Sequence, residues 1–302
     1  MAPDAEAVVA LEGPYSLRAT MRRFAVFGGD PTVRVRREET WVGLSTASGP
    51  ASVRYEQRGA SVEVSAWGPG AGDAIAAAPE HLGAHDASWT LEVDHPLVGP
   101  LVEASRGLRF GRTRRLMDRL FAVILGQRVT AEGAARSYRE LVFRYGERAP
   151  GPNGKLWIAP EAERVRGLSY FDFHPLGVER RRAETMLFAA RRWRRLEALA
   201  HEEPPVVHAR LLAFPGIGEW TAGLVTSGVH GDVDALPVGD YHIKNHVAFT
   251  LAGEARGDDA RMLSLLEPFR PFRGRVLAAI LAHGASAPRF GPRLSVRDIR
   301  SS

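Results

Sequence analysis

Leu211-Leu212-Ala213-Phe214-Pro215-Gly216-Ile217-Gly218-Glu219-Trp220-Thr221-Ala222-Gly223-Leu224 reads as a helix, a tight turn and a second helix. Pro215-Gly216 breaks the first helix, because proline lacks an N–H and biases the residue before it away from helical backbone. Gly218 permits a left-handed or close-approach backbone, and Thr221-Ala222 begins the next helix. Such a turn points several free backbone N–H groups, with the positive end of a helix dipole, at one spot that suits a phosphate. On composition alone an ordinary helix–turn–helix connection explains the segment equally well.

Downstream, Leu236-Pro237-Val238-Gly239-Asp240-Tyr241-His242-Ile243-Lys244 places Asp240 at the head of an amphipathic run, where helix N-caps sit. Upstream, Leu116, Leu120, Phe121, Val123 and Ile124 form an apolar helical stripe with Arg114, Arg115, Asp118 and Arg119 off it. Gly126 closes that helix ahead of Gln127 and Arg128. Ala134–Tyr145 reads as another helix, and Gly151–Gly154 as a loop. Val178–Ala200 reads as one long helix, with Ala183, Met186, Leu187, Ala190 and Trp193 on its apolar side. The arginine pairs 191/192 and 194/195 fall on its solvated side. Short helices continue to about Gly284, and Ala285–Ser302 reads as an irregular tail.

The first third has a different period. Thr40–Leu44, Ser52–Tyr55 and Ser61–Trp67 alternate or are β-branched, separated by turn residues at Ser48-Gly49-Pro50 and Arg58-Gly59. The expectation there is an antiparallel meander, with Gly68–Pro79 as a loop leading into a helical piece. The fold class expected is therefore α+β: a β-rich domain over residues 1–104, then an all-helical domain over 105–302. The chain's 302 residues agree with two domains of about 150 each.

Composition narrows the chemistry. With no cysteine, the chain has no disulfide, thiolate nucleophile or iron–sulfur cluster held by cysteines. The longest apolar runs are far below the roughly 18 residues a bilayer span needs. Met1–Tyr15 lacks the basic start of a signal peptide. The expectation is a cytoplasmic, nucleoid-associated bacterial protein, monomeric and without a membrane partner. Residues 1–104 carry 8 basic and 14 acidic side chains, 105–200 carry 21 and 10, and 201–302 carry 11 of each. The net +11 of the middle third reads as a polyanion-binding face. Only two cations are lysines, Lys155 and Lys244, which a GC-rich genome explains.

Taken together, Phe214–Ala222 resembles the hairpin of the helix–hairpin–helix DNA glycosylases, most of all the 3-methyladenine DNA glycosylase II family. Leu236–Lys244 resembles that family's catalytic-aspartate segment at a fitting distance from Trp220. Ile124-Leu125-Gly126-Gln127 resembles its helix and loop that insert into DNA, and Gly177–Ala183 the opening of a later helix. The resemblance covers roughly residues 105–285, and it implies damaged double-stranded DNA as the partner. It implies Asp240 as the catalytic carboxylate, Trp220 and Leu224 in the base pocket, and Gln127, Arg128, Pro215, Gly216, Ile217, Gly218, Thr221 and Lys244 at the DNA. It also implies an alkali ion, Na+ or K+, on the backbone carbonyls of Leu212, Phe214 and Ile217, with no required cofactor.

Two departures from the family stand out: Leu224 where an aromatic is expected, and Arg128 where an apolar wedge is expected. Arginine can fill the gap left by a flipped nucleotide and hydrogen-bond the orphan base, or simply touch phosphate. Trp220 occupies the place where relatives that cleave the strand carry a Schiff-base lysine, which implies a monofunctional enzyme. Read without the resemblance, Asp240 is equally a plain cap and Trp220 a core residue. His242 and His246 stand at helical i,i+4 spacing with no further ligand to support a transition metal. The activity expected is excision of alkylated purines. The alternatives are an oxidised-purine glycosylase and a helix–hairpin–helix protein that binds DNA without chemistry.

Overall fold

The structure is a computed structural model and describes residues 1–288. Its N-terminal part is one antiparallel sheet in the order β1-β5-β4-β3-β2, from strands Ala5–Ala10 (β1), Val33–Val35 (β2), Glu39–Thr46 (β3), Gly49–Arg58 (β4) and Ser61–Trp67 (β5). The last four run as the expected meander, and the chain's first strand returns to pair with the last. Because side chains alternate across a strand, Val42, Val53, Val62 and Val64 face one side. There they share a core with Leu17–Met21 (α1) and Ala71–His81 (α2). Trp41 and Trp67, stacked at 5.1 Å, pack with Ala149, Leu156 and Ile158 of the later chain in a separate buried cluster.

The segment read as a loop over Gly68–Pro79 is mostly the helix α2. Ala71, Ala74 and Ala78 are buried at i, i+3 and i+7, and their small side chains let the helix lie close on the sheet. Alanine carries little apolar signal, and Gly70, Gly72 and Pro79 mask the period. Val98–Ala104 (α3) packs on the last helix, and its Val98 and Val102 share a core with Leu236, Val247, Met262 and Ile280. This helix thus belongs with the helical part, although the sequence reading ends the β-rich domain after it.

The helical part runs through Leu116–Leu125 (α4), Ala131–Tyr145 (α5), Ala162–Arg166 (α6), Tyr170–Phe173 (α7) and Arg180–Ala190 (α8). Trp193–Glu197 (α9), Pro204–Leu212 (α10), Glu219–Val229 (α11), Ile243–Ala252 (α12), Asp259–Leu266 (α13) and Arg273–His283 (α14) complete it. The helix α4 is central, with eight of its ten residues buried against α5, α8, α9 and α11. Truncating one of them, as in Leu120→Ala, costs about 2–5 kcal/mol.

The single helix expected over Val178–Ala200 is two, α8 and α9, broken at Arg191-Arg192. The buried face of α8 ends at Ala190, α9 buries Leu196, and between them the Trp193 indole reaches Glu163 at 2.7 Å. Among the described residues, no helix is long and apolar enough to cross a membrane. The tail expected to be irregular lies, beyond Pro288, outside the described residues.

Candidate active site

The hairpin joins α10 to α11. Gly216 adopts φ 83°, and a Cβ there would stand 2.4 Å from the Thr185 hydroxyl, so both backbone and space demand glycine. Gly218 differs from its expectation. It is extended at φ −114°, ψ −176°, and a Cβ on it would meet open space. Its use is exposure at the head of α11, and the left-handed residue is Gly216. Pro215, Gly216 and Gly218 are exposed, and the Gly216 and Gly218 N–H groups have no acceptor among the described residues.

The loop after α4 grips this turn. Gln127 Nε2 donates to the Gly216 carbonyl and to the Thr221 hydroxyl, both at 2.9 Å, so both of its amide hydrogens are used inside the protein. Thr221 is 2% exposed and Ile217 6%, so these two support the hairpin from beneath and do not present side chains to a ligand. Buried Arg182 donates to the Leu125 carbonyl at 2.7 Å, meeting an orphan acceptor at the end of α4. Burial holds the Arg182 guanidinium below its usual pKa. The next exposed residue is Arg128, at φ 55°. A left-handed non-glycine residue costs about 1–2 kcal/mol. The protein thus holds Arg128 outward on a strained turn braced by Gln127 and Arg182.

A second glycine brings in the carboxylate. A Cβ on Gly223 of α11 would lie 2.3 Å from the Leu236 carbonyl, so the stretch before Asp240 crosses directly over the hairpin helix. Asp240 Oδ1 accepts the His242 and Ile243 N–H groups at 2.8 and 3.1 Å, capping α12. Its Oδ2 accepts the Trp220 indole N–H at 3.1 Å. Each carboxylate oxygen has two acceptor sites, so Oδ2 keeps one unused. Asp259 accepts the Gly239 N–H at 3.1 Å and pairs with Lys244 at 3.3 Å. Lys244, expected at DNA, is therefore already engaged in the protein. Tyr241 is 70% exposed beside the carboxylate.

Trp220 and Leu224, i and i+4 on α11, are half-buried over the main helical core. A Cβ on Gly126 would be 3.1 Å from Trp220 Cη2 and 3.4 Å from Phe27 Cε1. The two rings therefore converge on the bare face of Gly126. Phe27 comes from the N-terminal part, on a loop between α1 and β2, and sequence reasoning missed it.

Buried charge holds that loop in place. Arg23 donates to Ser227 of α11 at 2.7 Å, and Arg119 donates to the Leu224 and Arg23 carbonyls at 3.3 and 3.0 Å. Burial, more than their mutual repulsion, drops Arg23 to about 9, and burial drops Arg119 to about 10. Burial also pushes Asp30 up to about 6 against hydrogen bonds from Thr32 and the attraction of Arg119.

The carbonyls of Leu212 and Ile217 accept no hydrogen bond among the described residues, and that of Phe214 accepts one, from the Ile217 N–H at 3.1 Å. This donor set fits an alkali cation. Among the described residues no cluster of three His, Asp or Glu side chains is placed to hold a metal ion.

The hairpin is thus braced, the aspartate is tied to its tryptophan, and a loop of the N-terminal part lends an aromatic ring. The fold is shared with solved DNA glycosylases. A 3-methyladenine DNA glycosylase from Archaeoglobus fulgidus superposes with a TM-score of 0.74 at 19% identity, over 92% of this chain and 98% of that one. An 8-oxoguanine glycosylase/lyase from Clostridium acetobutylicum gives 0.61 at 14% identity, over 83% and 98%. The Schizosaccharomyces pombe 3-methyladenine DNA glycosylase, in complex with abasic DNA, gives 0.50 at 18% identity, over 64% and 91%. No protein-family model and no curated protein matches the sequence.

Proposed function

We propose that this chain is a monofunctional DNA glycosylase that flips out and excises alkylated purines of the 3-methyladenine and 7-methylguanine type, leaving an abasic site. The observation that carries the reading is the Trp220–Asp240 hydrogen bond, which fixes one carboxylate beside the aromatic wall of Trp220 and Phe27. Breaking an N-glycosidic bond builds positive charge on the sugar. A carboxylate already oriented by three N–H donors stabilises that charge without rearranging, and its unused Oδ2 site can orient the attacking water.

An alkylated purine is electron-poor and cationic, so it gains from the π-face of an indole. Trp220 has no amine, so it offers no Schiff base and the strand stays intact. Arg128 fills the gap left by the flipped nucleotide. The exposed N–H groups of Gly216 and Gly218 bind a backbone phosphate, and the carbonyls of Leu212, Phe214 and Ile217 would hold an alkali ion that would supply positive charge there. The whole site lies within one chain, so a monomer suffices.

The test is base release from methylated duplex DNA. Asp240→Asn is expected to abolish release while duplex affinity stays equal or rises, since a negative charge leaves the vicinity of phosphates. Release at the wild-type rate by the variant overturns the assignment.

A further inference from the structure

The arginine pairs at 191/192 and 194/195 belong to no part of the site described above. The break between α8 and α9 divides them. Arg194 stacks on Trp193 at 4.9 Å, whereas Arg192 and Arg195 turn toward α10. They meet Arg210, from the last turn of α10, around a cleft of about 260 Å³. Its floor is apolar: Phe188 and Phe214 meet edge to face at 6.1 Å, beside Leu199. Arg192 lies 3.7 Å over the Phe188 ring, which holds its guanidinium in a defined place at the surface.

Three features make this cleft an anion site in waiting. All three arginines are exposed, and none has a carboxylate partner among the described residues. No aspartate or glutamate lines the cleft. An apolar floor beneath exposed guanidinium groups limits the water that would otherwise screen them, so an anion there is attracted more strongly than at an open surface.

Position identifies the anion. Phe214 and Pro215 line the cleft and are also the first residues of the hairpin turn, in which the exposed Gly216 and Gly218 follow directly. A nucleic-acid strand held at those N–H groups would carry its next phosphates toward the cleft that Phe214 and Pro215 share with the three arginines. We infer that the cleft formed by Arg192, Arg195 and Arg210 is an electrostatic extension of the hairpin, which takes the phosphodiester backbone of duplex DNA on one flank of the lesion. This rests on the proposed DNA glycosylase function. It goes further by assigning one side of the duplex to a surface formed where the α8–α9 break faces α10.

The experiment measures equilibrium binding of the whole chain to duplexes with a central abasic-site analogue, across a series of KCl concentrations. One duplex is long on both flanks, and two others are shortened on one flank or the other. Each neutralised phosphate contributes about −0.9 to the slope of log K against log salt. R192A/R195A and R210A are each expected to bind the long duplex with a slope shallower by one to two such contributions. R192K/R195K should restore the slope, because charge rather than shape is read. Shortening one flank, and only that one, should erase the difference between wild type and variants. Thermal unfolding confirms that the variants are folded.

Wild-type slopes in both alanine variants on the long duplex would overturn the cleft while leaving the glycosylase reading intact. Equal effects of shortening either flank would also overturn it, because the charge would then act without a defined place. If the wild-type chain binds no duplex at any salt, the cleft and the glycosylase reading fall together. Tight binding of an acidic polypeptide at the three arginines, with no change in DNA slope on their removal, would assign the surface to a protein partner instead.

Discussion

Trp220 donates its indole N–H to Asp240 across 3.1 Å, joining the hairpin helix to a turn 20 residues further along the chain. The other carboxylate oxygen is held by the first N–H groups of α12. The aspartate is thus oriented from two elements at once, and neither its rotamer nor the indole plane can change without breaking a bond. Trp220→Phe keeps an aromatic wall and removes only the N–H. A hydrogen bond to a charged group is worth about 1.5–3 kcal/mol. The single-turnover rate of base release should therefore fall by roughly 10- to 150-fold, with duplex affinity changed far less. A wild-type rate in this variant would show that the indole contributes stacking alone.

The same residue decides the strand chemistry. An indole cannot condense with the sugar aldehyde, so borohydride added during turnover should not trap the chain on DNA. Strands should break only after alkali or heat. A covalent complex on a denaturing gel would demand an attacking amine, and the one nearby in the chain, Lys244, is paired with Asp259.

The hairpin's shape and its charge can be separated. Gln127→Ala removes two hydrogen bonds to the turn, at Gly216 and Thr221, and Gly216→Val collides with Thr185 and forbids φ 83°. Neither change removes a charge. Both should weaken duplex binding, Gln127→Ala by about 1–2 kcal/mol, with the salt slope unaltered. Gly218→Ala should be mild for folding, since its Cβ meets nothing. A shallower salt slope for Gln127→Ala would mean that the turn carries charge through another group.

The hairpin was legible because its grammar is local: Pro215-Gly216 stops a helix and Thr221-Ala222 resumes one. The pairing of Trp220 with Asp240 was legible only through the family resemblance, because Asp240 read alone is a plain helix cap. What was not legible depended on contacts distant in the chain. Phe27 comes beside Gly126 with Trp220 on a loop that Arg23 and Arg119 fasten to α11, and no period in the sequence signals that. Gln127 and Thr221, which the resemblance implies at the DNA, bond to each other within the chain. Lys244, implied there too, has a partner in Asp259, a helix away. A residue type announces what it can bind, whereas only the packing decides whether that capacity is already satisfied. The helix over Ala71–His81 was missed for a different reason: its buried face is alanine, whose propensity is high and whose hydrophobic signal is weak.

Arg128 combines exposure with a left-handed backbone, and the two can be tested together. Arg128→Gly removes the strain but adds freedom to the unfolded chain, effects of about 1 kcal/mol each with opposite sign. Its melting temperature should therefore stay within a few degrees of wild type. Arg128→Ala keeps the strain and removes the side chain. Both should lose more affinity for lesion-containing duplex than for undamaged duplex if the guanidinium occupies the vacated position in the stack. Equal losses on the two DNAs would reduce Arg128 to a phosphate contact.

Two buried groups near the interface of sheet and helices should oppose each other in their response to acid. Burial pushes the Asp30 carboxyl from 3.8 up to about 6, so between those values the native chain holds a proton that the unfolded chain has lost. Stability from this group therefore falls as pH rises through that window. His81 behaves in the opposite sense. Burial, with repulsion from Arg115 adding to it, drops its imidazole from 6.5 to about 4, so the unfolded chain binds the extra proton. Stability from His81 is complete above 6.5 and is lost as pH falls toward 4.

Each effect is on the order of 3 kcal/mol, and in the wild type they largely cancel between pH 4 and 6. Asp30→Asn keeps an acceptor oxygen for the Thr32 N–H and hydroxyl but cannot ionise. Relative to wild type, the variant should become progressively more stable as pH rises from 4 to 7. Its own stability should fall more steeply on acidification, because the His81 effect is no longer offset. Urea unfolding at half-unit pH intervals measures both. A difference between wild type and variant that stays constant from pH 4 to 7 would show that Asp30 ionises freely and that its burial does not govern its proton.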